Sequence, residues 1–570
     1  MFLKTKRVRR ANRTYEYLSL VESVRVNGTN THRTLFRLGE AAALRESGEL
    51  DRIIAALTAH AERRWIDVDE LDAEQAPAIG ATATIKAWWD KLELDGLFDQ
   101  IGDAEQLPFR LADAVFAMVA GRLCDPGSKR RTHRWIAEQV VAPDGFSFPT
   151  LEQYYRALDV LENSKDGVER HVYSRVCDLT NLNLTLACYD LTSSYVEGDP
   201  APNPRFPSKA FGYSRDKRGD RPQIVIGLLC SGDGIPIAHH VFAGATSDVT
   251  TLADVLADLV ERFAVGRICV VADRGLISEA NIVDVEHAGC HWLFATKLHG
   301  RQDVAAVLAA AADADTDAWV EVARFSSRVC DVDHDGRRYV VVFSDARQRR
   351  DTVRRLQLIA KTEARLRALE DRVRRGDLVE ATEIAKAAAT IVARSPVKRL
   401  FDISDVAEAR FVYDYDHDAL AYDELLAGHY VLVTSLDRAT ADAAGVLAAY
   451  RSLQLVENRF RVLKDFLGLR PIFHWTETRV RGHIAICVLA AVIETLLGNT
   501  LAGVDVRDPD LPDQHLTAPR AIDELDRIRQ VTLTAGDTTI DAVTRRTRLQ
   551  EQILDALDVD TRAWTKPTIH

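Results

Sequence analysis

Three acidic residues far apart in the chain each sit where a metal-dependent nuclease needs one. Asp190 lies in the apolar run Leu184 to Thr192. Asp273 ends a second run, Ile268 to Asp273, with Arg274 and Gly275 after it, and Glu457 sits on a long helical pattern ending in Lys464. Carboxylates at strand ends and on a facing helix suit two hard cations, because Mg²⁺ takes oxygen ligands and usually one or two carboxylates per ion. A lone buried Asp is more often a capped or paired structural residue, so the case rests on the elements between the three.

After the Asp190 strand, Gln223 to Cys230 is a short apolar run rich in β-branched residues, and Gly234-Ile235-Pro236 punctuates it. Ile237 to Phe242 reads as a third strand returning beside it. Thr246-Ser247-Asp248 offers helix-capping side chains, and Leu252, Val255, Leu256, Leu259 and Val260 then recur at helical spacing. The strand ending at Asp273, a helix from about Ser278 to His287 and a strand His291 to Thr296 with Lys297 after it complete the order β-β-β-α-β-α-β. Right-handed crossovers place the first and fourth strands side by side, making Asp190 and Asp273 neighbours. That is the layout of the ribonuclease-H-like fold, in which a later helix carries the third carboxylate across. The later helix is expected from Ala441 to Phe466, a stretch without Pro. Tyr450, Glu457 and Lys464 recur every seven residues, which drifts by only about 20° per step on an α-helix. Arg461 is one turn from Glu457 on the same side. A salt-bridged surface stripe is the ordinary reading of such a face. An acid, a phenol and two cations on one stripe fit instead a helix that holds metal with the acid and phosphate with the rest.

These stretches resemble the bacterial insertion-sequence DDE transposases, in the branch with a large insertion before the catalytic Glu. The matching segments are Y-D-L-T-S-S-Y at 189–195, G-Y-S-R-D-K-R at 212–218, Q-I-V-I-G-L-L at 223–229, F-A-G-A-T-S-D at 242–248, V-V-A-D-R-G-L-I-S at 270–278 and V-E-N-R-F-R-V-L-K-D-F-L-G-L-R-P-I-F-H at 456–474, with R-L-C-D-P-G-S-K at 122–129. The family's helix signature is Tyr, two residues, Arg, three residues, Glu, six residues, Lys. Tyr450, Glu457 and Lys464 fit it, whereas Leu453 occupies the Arg position; either Arg461 takes over that phosphate contact or the contact is absent. The resemblance implies cleavage at terminal inverted repeats and joining of the 3′ ends to target DNA. It gives Asp190, Asp273 and Glu457 as ligands of two Mg²⁺ or Mn²⁺ ions. Two other classes stay open: a ribonuclease-H-like structure-selective nuclease without strand transfer, and a silent transposase-derived DNA-binding protein. Tyr195 could be read as a recombinase nucleophile, but that leaves the three acids unexplained.

Composition fits a multidomain globular chain: 570 residues, 47% hydrophobic and 28% charged. The stretch Ile484 to Leu497 is interrupted by Glu494 and reads as a core helix, not a membrane span. The Met1 start has basic residues but no apolar signal-peptide core, and the eight cysteines form no C-x-x-C pair. A reducing cytoplasm, no zinc and no disulfide framework are therefore expected. A net charge of −12 does not exclude a nucleic-acid partner, because electrostatic footprints are local. Residues 1–40 hold nine Lys or Arg against three Glu, clustered at Lys4, Lys6, Arg7, Arg9, Arg10 and Arg13, and Lys129, Arg130, Arg131 and Arg134 form a second patch. Arg347 to Arg375 carries eleven cations against four acids, which reads equally as a solvated helix face or a phosphate contact. Lys4, Lys6, Arg7, Arg9, Arg10, Lys129, Arg130, Arg131 and Arg134, with Lys297, Tyr450, Arg461 and Lys464, are the candidate DNA contacts.

The expected class is α/β: a ribonuclease-H-like mixed sheet core, a β-containing insertion and a mainly helical N-terminal region. Residues 1–40 read as a basic β-hairpin arm around Asn27-Gly28, and 41–180 as mainly helical and a candidate DNA-end-binding region. The core spans 181–300 and is completed by the helix region 441–500. The insertion, 301–440, has strand-like runs at Trp319 to Phe325, Tyr339 to Phe343, Arg410 to Tyr415 and Tyr430 to Thr434, which point to a small sheet built out from the core. Residues 501–570 are a candidate dimerisation region. A homodimer on DNA is expected from the inverted symmetry of the repeats.

Overall fold

The structure is a computed structural model that describes the chain except residues 11–12, 27–28, 59, 61–70, 74–75, 181, 183, 264–267, 277, 297, 299–301, 536–537, 562–567 and 570. Lys297 and the Asn27-Gly28 turn therefore lie outside the described residues. The chain forms two compact units, Met1–Ala76 with Val531–Val543 and Trp564–His570, and Pro77–Gln530 with Thr544–Ala563.

In the first unit β1 (Phe2–Arg10), β2 (Arg13–Val26) and β3 (Thr29–Glu40) pair antiparallel in sequence order, so β1 adds a third strand to the hairpin read from the sequence. Side chains alternate along a strand, which puts Lys4 and Lys6 on one face of β1 and Arg7 and Arg9 on the other. Leu18 packs with Ala41 and Leu44 of α1 (Ala41–Glu46) into a small core. The segments α2 (Glu49–Thr58) and β4 (Leu71–Ala73) follow.

The second unit opens with helices α3 (Gly80–Lys91), α4 (Leu94–Ala104), α5 (Leu111–Cys124), α6 (Lys129–Glu138), α7 (Leu151–Asn163) and α8 (Lys165–Thr180). Every residue of α5 except Cys124 is buried, as expected of a mostly apolar helix at the centre of a layer. Its two charged residues are satisfied, Asp113 by Arg110 and Arg122 by the Leu467 and Gly468 carbonyls. Next come β5 (Leu186–Tyr195), β6 (Gln223–Ser231), β7 (Pro236–Ala243), α9 (Leu252–Phe263), β8 (Cys269–Ala272), α10 (Glu279–His287) and β9 (His291–Ala295). The strands β5, β6 and β7 are antiparallel, while β8 runs parallel to β5 and β9 parallel to β8. The lateral order β7-β6-β5-β8-β9 is the ribonuclease-H arrangement expected from the sequence.

The insertion comprises α11 (Gln302–Ala312), β10 (Trp319–Val322), β11 (Ser327–His334), β12 (Arg337–Phe343), α12 (Asp345–Arg374), α13 (Ala381–Ala393), β13 (Phe401–Ala407), β14 (Arg410–Tyr415), α14 (His417–Leu426) and β15 (His429–Thr434). Strand β15 pairs with β9 through Leu432↔Ala295 and with β12 on its other edge. The core sheet thus extends to nine strands in the order β10-β11-β12-β15-β9-β8-β5-β6-β7. Arg410 to Tyr415 does not join it. That strand pairs with β13 and, with α12 and α13, builds a separate apolar cluster around Leu366, Ile384 and Leu400.

The expected helix from Ala441 to Phe466 is divided into α15 (Ala443–Arg451), α16 (Leu453–Arg461) and a π-helical turn, Val462–Phe466. At the first break Ser452 Oγ donates to the Ala448 carbonyl at 3.4 Å, the back-bonding by which serine bends helices. At the second, Leu467 N–H reaches the Val462 carbonyl at 2.9 Å, a five-residue closure. Helix α17 (Glu477–Gly503) is, among the described residues, long and apolar enough to cross a membrane. Here α5, α7 and α18 (Ala518–Asp526) cover it, and its Glu494 is paired with Arg459, so it serves as a core helix. The chain ends with β16 (Gln530–Ala535), β17 (Thr538–Val543), α19 (Arg548–Ala556) and β18 (Thr568–Ile569); in the first unit the sheet order is β18-β17-β16-β4.

Candidate active site

The parallel register of β5 and β8 sets the first two carboxylates. Tyr189 stands opposite Ala272, so Asp190, midway along β5, and Asp273, just past the end of β8, emerge side by side. Glu457 comes from α16, which packs on β5. Leu453, Val456 and Phe460 bury the apolar side of that helix, while Arg459 donates to Glu494 and, at 2.6 Å, to Thr495 of α17. With the helix fixed, Glu457 lines one cleft of about 340 Å³ with Asp190, Asp273, Asp248 and Arg215. Burial, followed by the charges of Asp273 and Glu457, pushes the Asp190 carboxyl up to about 7 against the opposing influence of the Leu191 N–H and Arg215. Burial and Asp273 also raise Glu457, with Arg461 acting in the opposite direction. Tyr450 Oη donates to Asp273 Oδ1 at 3.4 Å. Its phenol is raised, chiefly by burial, which keeps it a donor.

The rim is built by the loop between β5 and β6. Arg215 N–H donates to the buried Ser193 Oγ at 2.9 Å, and its Nη2 to Asp248 Oδ2 at 2.7 Å. The neighbouring Asp216, 5% exposed, accepts from Lys464 Nζ at 2.8 Å and from Arg470. Lys464 is thereby committed to the loop, and burial lowers its ammonium. Two signatures bear on the identity of this arrangement. Residues 3–73 match the model of the IS1634 family transposase N-terminal domain, and residues 184–493, more than half of the chain, match the transposase DDE domain. The chain belongs to the insertion-sequence DDE transposases. No curated protein matches it. Among solved structures, the cryo-EM structure of the piggyBac transposase synaptic complex with hairpin DNA is similar at 9% identity over 80% of this chain and 82% of that one, with a TM-score of 0.34.

Transposases of this class use divalent metal ions, and the donor chemistry of the cleft fits such a group. Its ligating atoms are carboxylate oxygens, the hard donors Mg²⁺ and Mn²⁺ prefer. The Asp190 and Glu457 carboxyls are raised by burial first and by neighbouring carboxylates second, and a bound cation would favour their charged forms. Among the described residues no three His, Cys, Asp or Glu side chains are gathered closely enough to hold a metal; the carboxylates line one cleft without converging on a point.

The sequence-derived DNA contacts fall in different places. Tyr450 and Arg461 stand beside the carboxylates of this transposase. Arg130, Arg131 and Arg134 are exposed on α6, with Arg131 paired to Asp125 at 2.7 Å. Lys129, by contrast, is 3% exposed, and burial with the nearby Arg122 pushes its ammonium down to about 7; it does not face solvent. Lys4, Lys6, Arg7, Arg9 and Arg10 are exposed on β1, Arg7 with Glu16 as partner. Sequence reasoning missed Arg215, Asp216 and Asp248 as site residues, although all three lie inside the motifs G-Y-S-R-D-K-R and F-A-G-A-T-S-D. Irregular loops carry no periodicity that would assign a side chain to a cleft. Asp248 was expected as part of a helix cap, and its carboxylate instead accepts from Arg215.

Proposed function

We propose that this transposase cuts DNA at the terminal inverted repeats of its element and joins the freed 3′ ends to target DNA. Asp190, Asp273 and Glu457 serve as the ligands of two Mg²⁺ or Mn²⁺ ions. The observation that carries this reading is the pairing Tyr189↔Ala272, which sets Asp190 beside Asp273 in the cleft that Glu457 enters from α16. When bound, two such ions supply activation of an attacking oxygen and neutralisation of a leaving one. The protein's own part is positional. The sheet and the α16–α17 clamp fix the carboxylates, Tyr450 orients Asp273 through its hydroxyl, and Arg461 on the exposed next turn faces the phosphate backbone. Lys464 acts through Asp216, holding the loop that forms the rim. Ser193 is buried and occupied as acceptor for Arg215, which leaves it outside the reaction.

The exposed cations of β1 supply the sequence-independent part of DNA binding. Two copies paired on two element ends supply the two sites needed to join both ends to one target. The test is a labelled inverted-repeat duplex incubated with Mg²⁺ and a target plasmid. Nicked ends and joined product are expected from the wild type, and neither from Asp273→Ala or Glu457→Ala. Nicking without joined product at any target concentration would favour a nuclease over a transposase.

A further inference from the structure

Among the described residues, Arg215 is the one cation that lines the carboxylate cleft. It is held as a preset group would be. Its backbone is anchored to Ser193 Oγ, and the next residue, Asp216, is clamped by Lys464 and Arg470. The guanidinium, 27% exposed, makes a single side-chain contact among the described residues, Nη2 to Asp248 Oδ2. Guanidinium carries five N–H donors, so most of its fork remains available on the cleft side. Helix α16 offers nothing equivalent in the turn before Glu457, because Leu453 there is 5% exposed and packed inward. Charge logic points the same way. A substrate phosphate entering a cleft lined by Asp190, Asp248, Asp273 and Glu457 needs a cation of the protein's own, and Asp248 parks that cation until DNA arrives.

We propose that Arg215 is a catalytic residue of this transposase, gripping the non-bridging oxygens of the scissile phosphate through its planar fork. The proposal rests on the three-carboxylate reading given above. In the cutting step a water oxygen bonds to phosphorus and the P–O3′ bond breaks. The water's proton passes to solvent, and the departing 3′ oxygen gains a proton to end as the 3′-OH. Negative charge grows on the non-bridging oxygens during that displacement, and a paired N–H donor set matches them better than an ammonium does.

The test uses the full-length protein with Arg215→Ala and Arg215→Lys. Labelled inverted-repeat duplex is bound in Ca²⁺ to read affinity, then cut in Mn²⁺ under single turnover. Removing a preset donor to developing charge typically slows chemistry by about 10²–10³-fold, so Arg215→Ala should lose that much in single-turnover rate. End-DNA affinity should stay within about threefold, and Arg215→Lys should lose about tenfold in rate. Mn²⁺ binding, read by the loss of free-ion paramagnetic resonance signal, should be retained in both. Methylguanidine should restore part of the rate to Arg215→Ala and none to Asp190→Ala, a rescue that a merely structural residue would not show. If Arg215→Ala fails to melt cooperatively, Arg215→Lys carries the test. Rates within about threefold of wild type in the folded variants overturn the proposal, as does loss of Mn²⁺ binding without methylguanidine rescue. In both cases wild-type cutting and a dead Asp190→Ala leave the carboxylate reading standing. Undiminished cutting by Asp190→Ala removes that reading, and this proposal with it.

Discussion

Replacing Asp190 by Asn should stabilise the metal-free protein, the reverse of the usual effect of changing a buried polar residue. The folded carboxyl is held at about 7 where 3.8 is ordinary. The folded state therefore binds this proton more tightly than the unfolded one. Stability falls as pH rises from the unfolded value through the folded one, and above pH 7 the whole cost is present. At about 1.4 kcal/mol per pH unit, the Asp190 carboxyl costs about 4 kcal/mol at pH 8, where it is ionised, and about 2 kcal/mol at pH 5, where the folded state holds a proton that the unfolded state has released. Asn carries no charge and keeps an oxygen that can accept from the Leu191 N–H, so the variant escapes that cost. Urea unfolding followed by tryptophan fluorescence, without metal, should give Asp190→Asn an advantage near those values that grows between pH 5 and pH 8. Mn²⁺ should then narrow the pH 8 difference to about 1 kcal/mol, since a ligand at about 100 times its Kd adds about 2.7 kcal/mol to the state that binds it. An Asp190→Asn variant less stable than wild type at pH 8 without metal would refute the reasoning, and a pH-independent difference would remove its electrostatic basis.

Three further outcomes follow from the same geometry. Asp216→Ala leaves Lys464 and Arg470 without their shared carboxylate and should destabilise by about 3 kcal/mol; adding Lys464→Met should recover part of this in a double-mutant cycle of denaturation midpoints. Gly482→Ala would put a Cβ 2.2 Å from the Leu158 carbonyl oxygen, prising α17 from α7, and should cost about 2 kcal/mol or more by thermal melting. Changing Lys4, Lys6, Arg7, Arg9 and Arg10 to Gln should reduce the slope of log affinity for end DNA against log salt by up to about 4; an unchanged slope would take β1 off the DNA.

Much of the catalytic core was legible because strands and helices announce themselves by period. The apolar runs around Asp190 and Asp273 and the helical spacing in α9 gave the strand order, and with it the side-by-side placement of the two acids. Glu457 was legible from the face it shares with Tyr450. Periodicity did not reveal the partner of Lys464, which lies within the π turn Val462–Phe466 and is tied to Asp216 of the rim loop, a tertiary pairing that a seven-residue repeat does not encode. Lys129 read as a surface cation because it opens a basic run with Arg130, Arg131 and Arg134, yet its place at the start of α6 turns it inward. Arg215 and Asp248 meet across the cleft from separate loops, a tertiary pairing that local spacing does not encode. Four of the insertion strands were found, β11 and β13 were not, and neither was partner choice. Arg410 to Tyr415 pairs locally with β13 because its apolar residues complete the cluster under α12 and α13 rather than the core sheet.

The central claim is that Asp190, Asp273 and Glu457 form one metal site, and Mn²⁺ tests it most directly. Crystals of the transposase bound to inverted-repeat DNA, soaked in Mn²⁺, can be measured at the manganese absorption edge. The account predicts anomalous peaks in the cleft, ligated by Asp190, Asp273 and Glu457 oxygens, and their loss in Asp190→Ala crystals. Manganese bound elsewhere, or peaks that survive in Asp190→Ala, would contradict it.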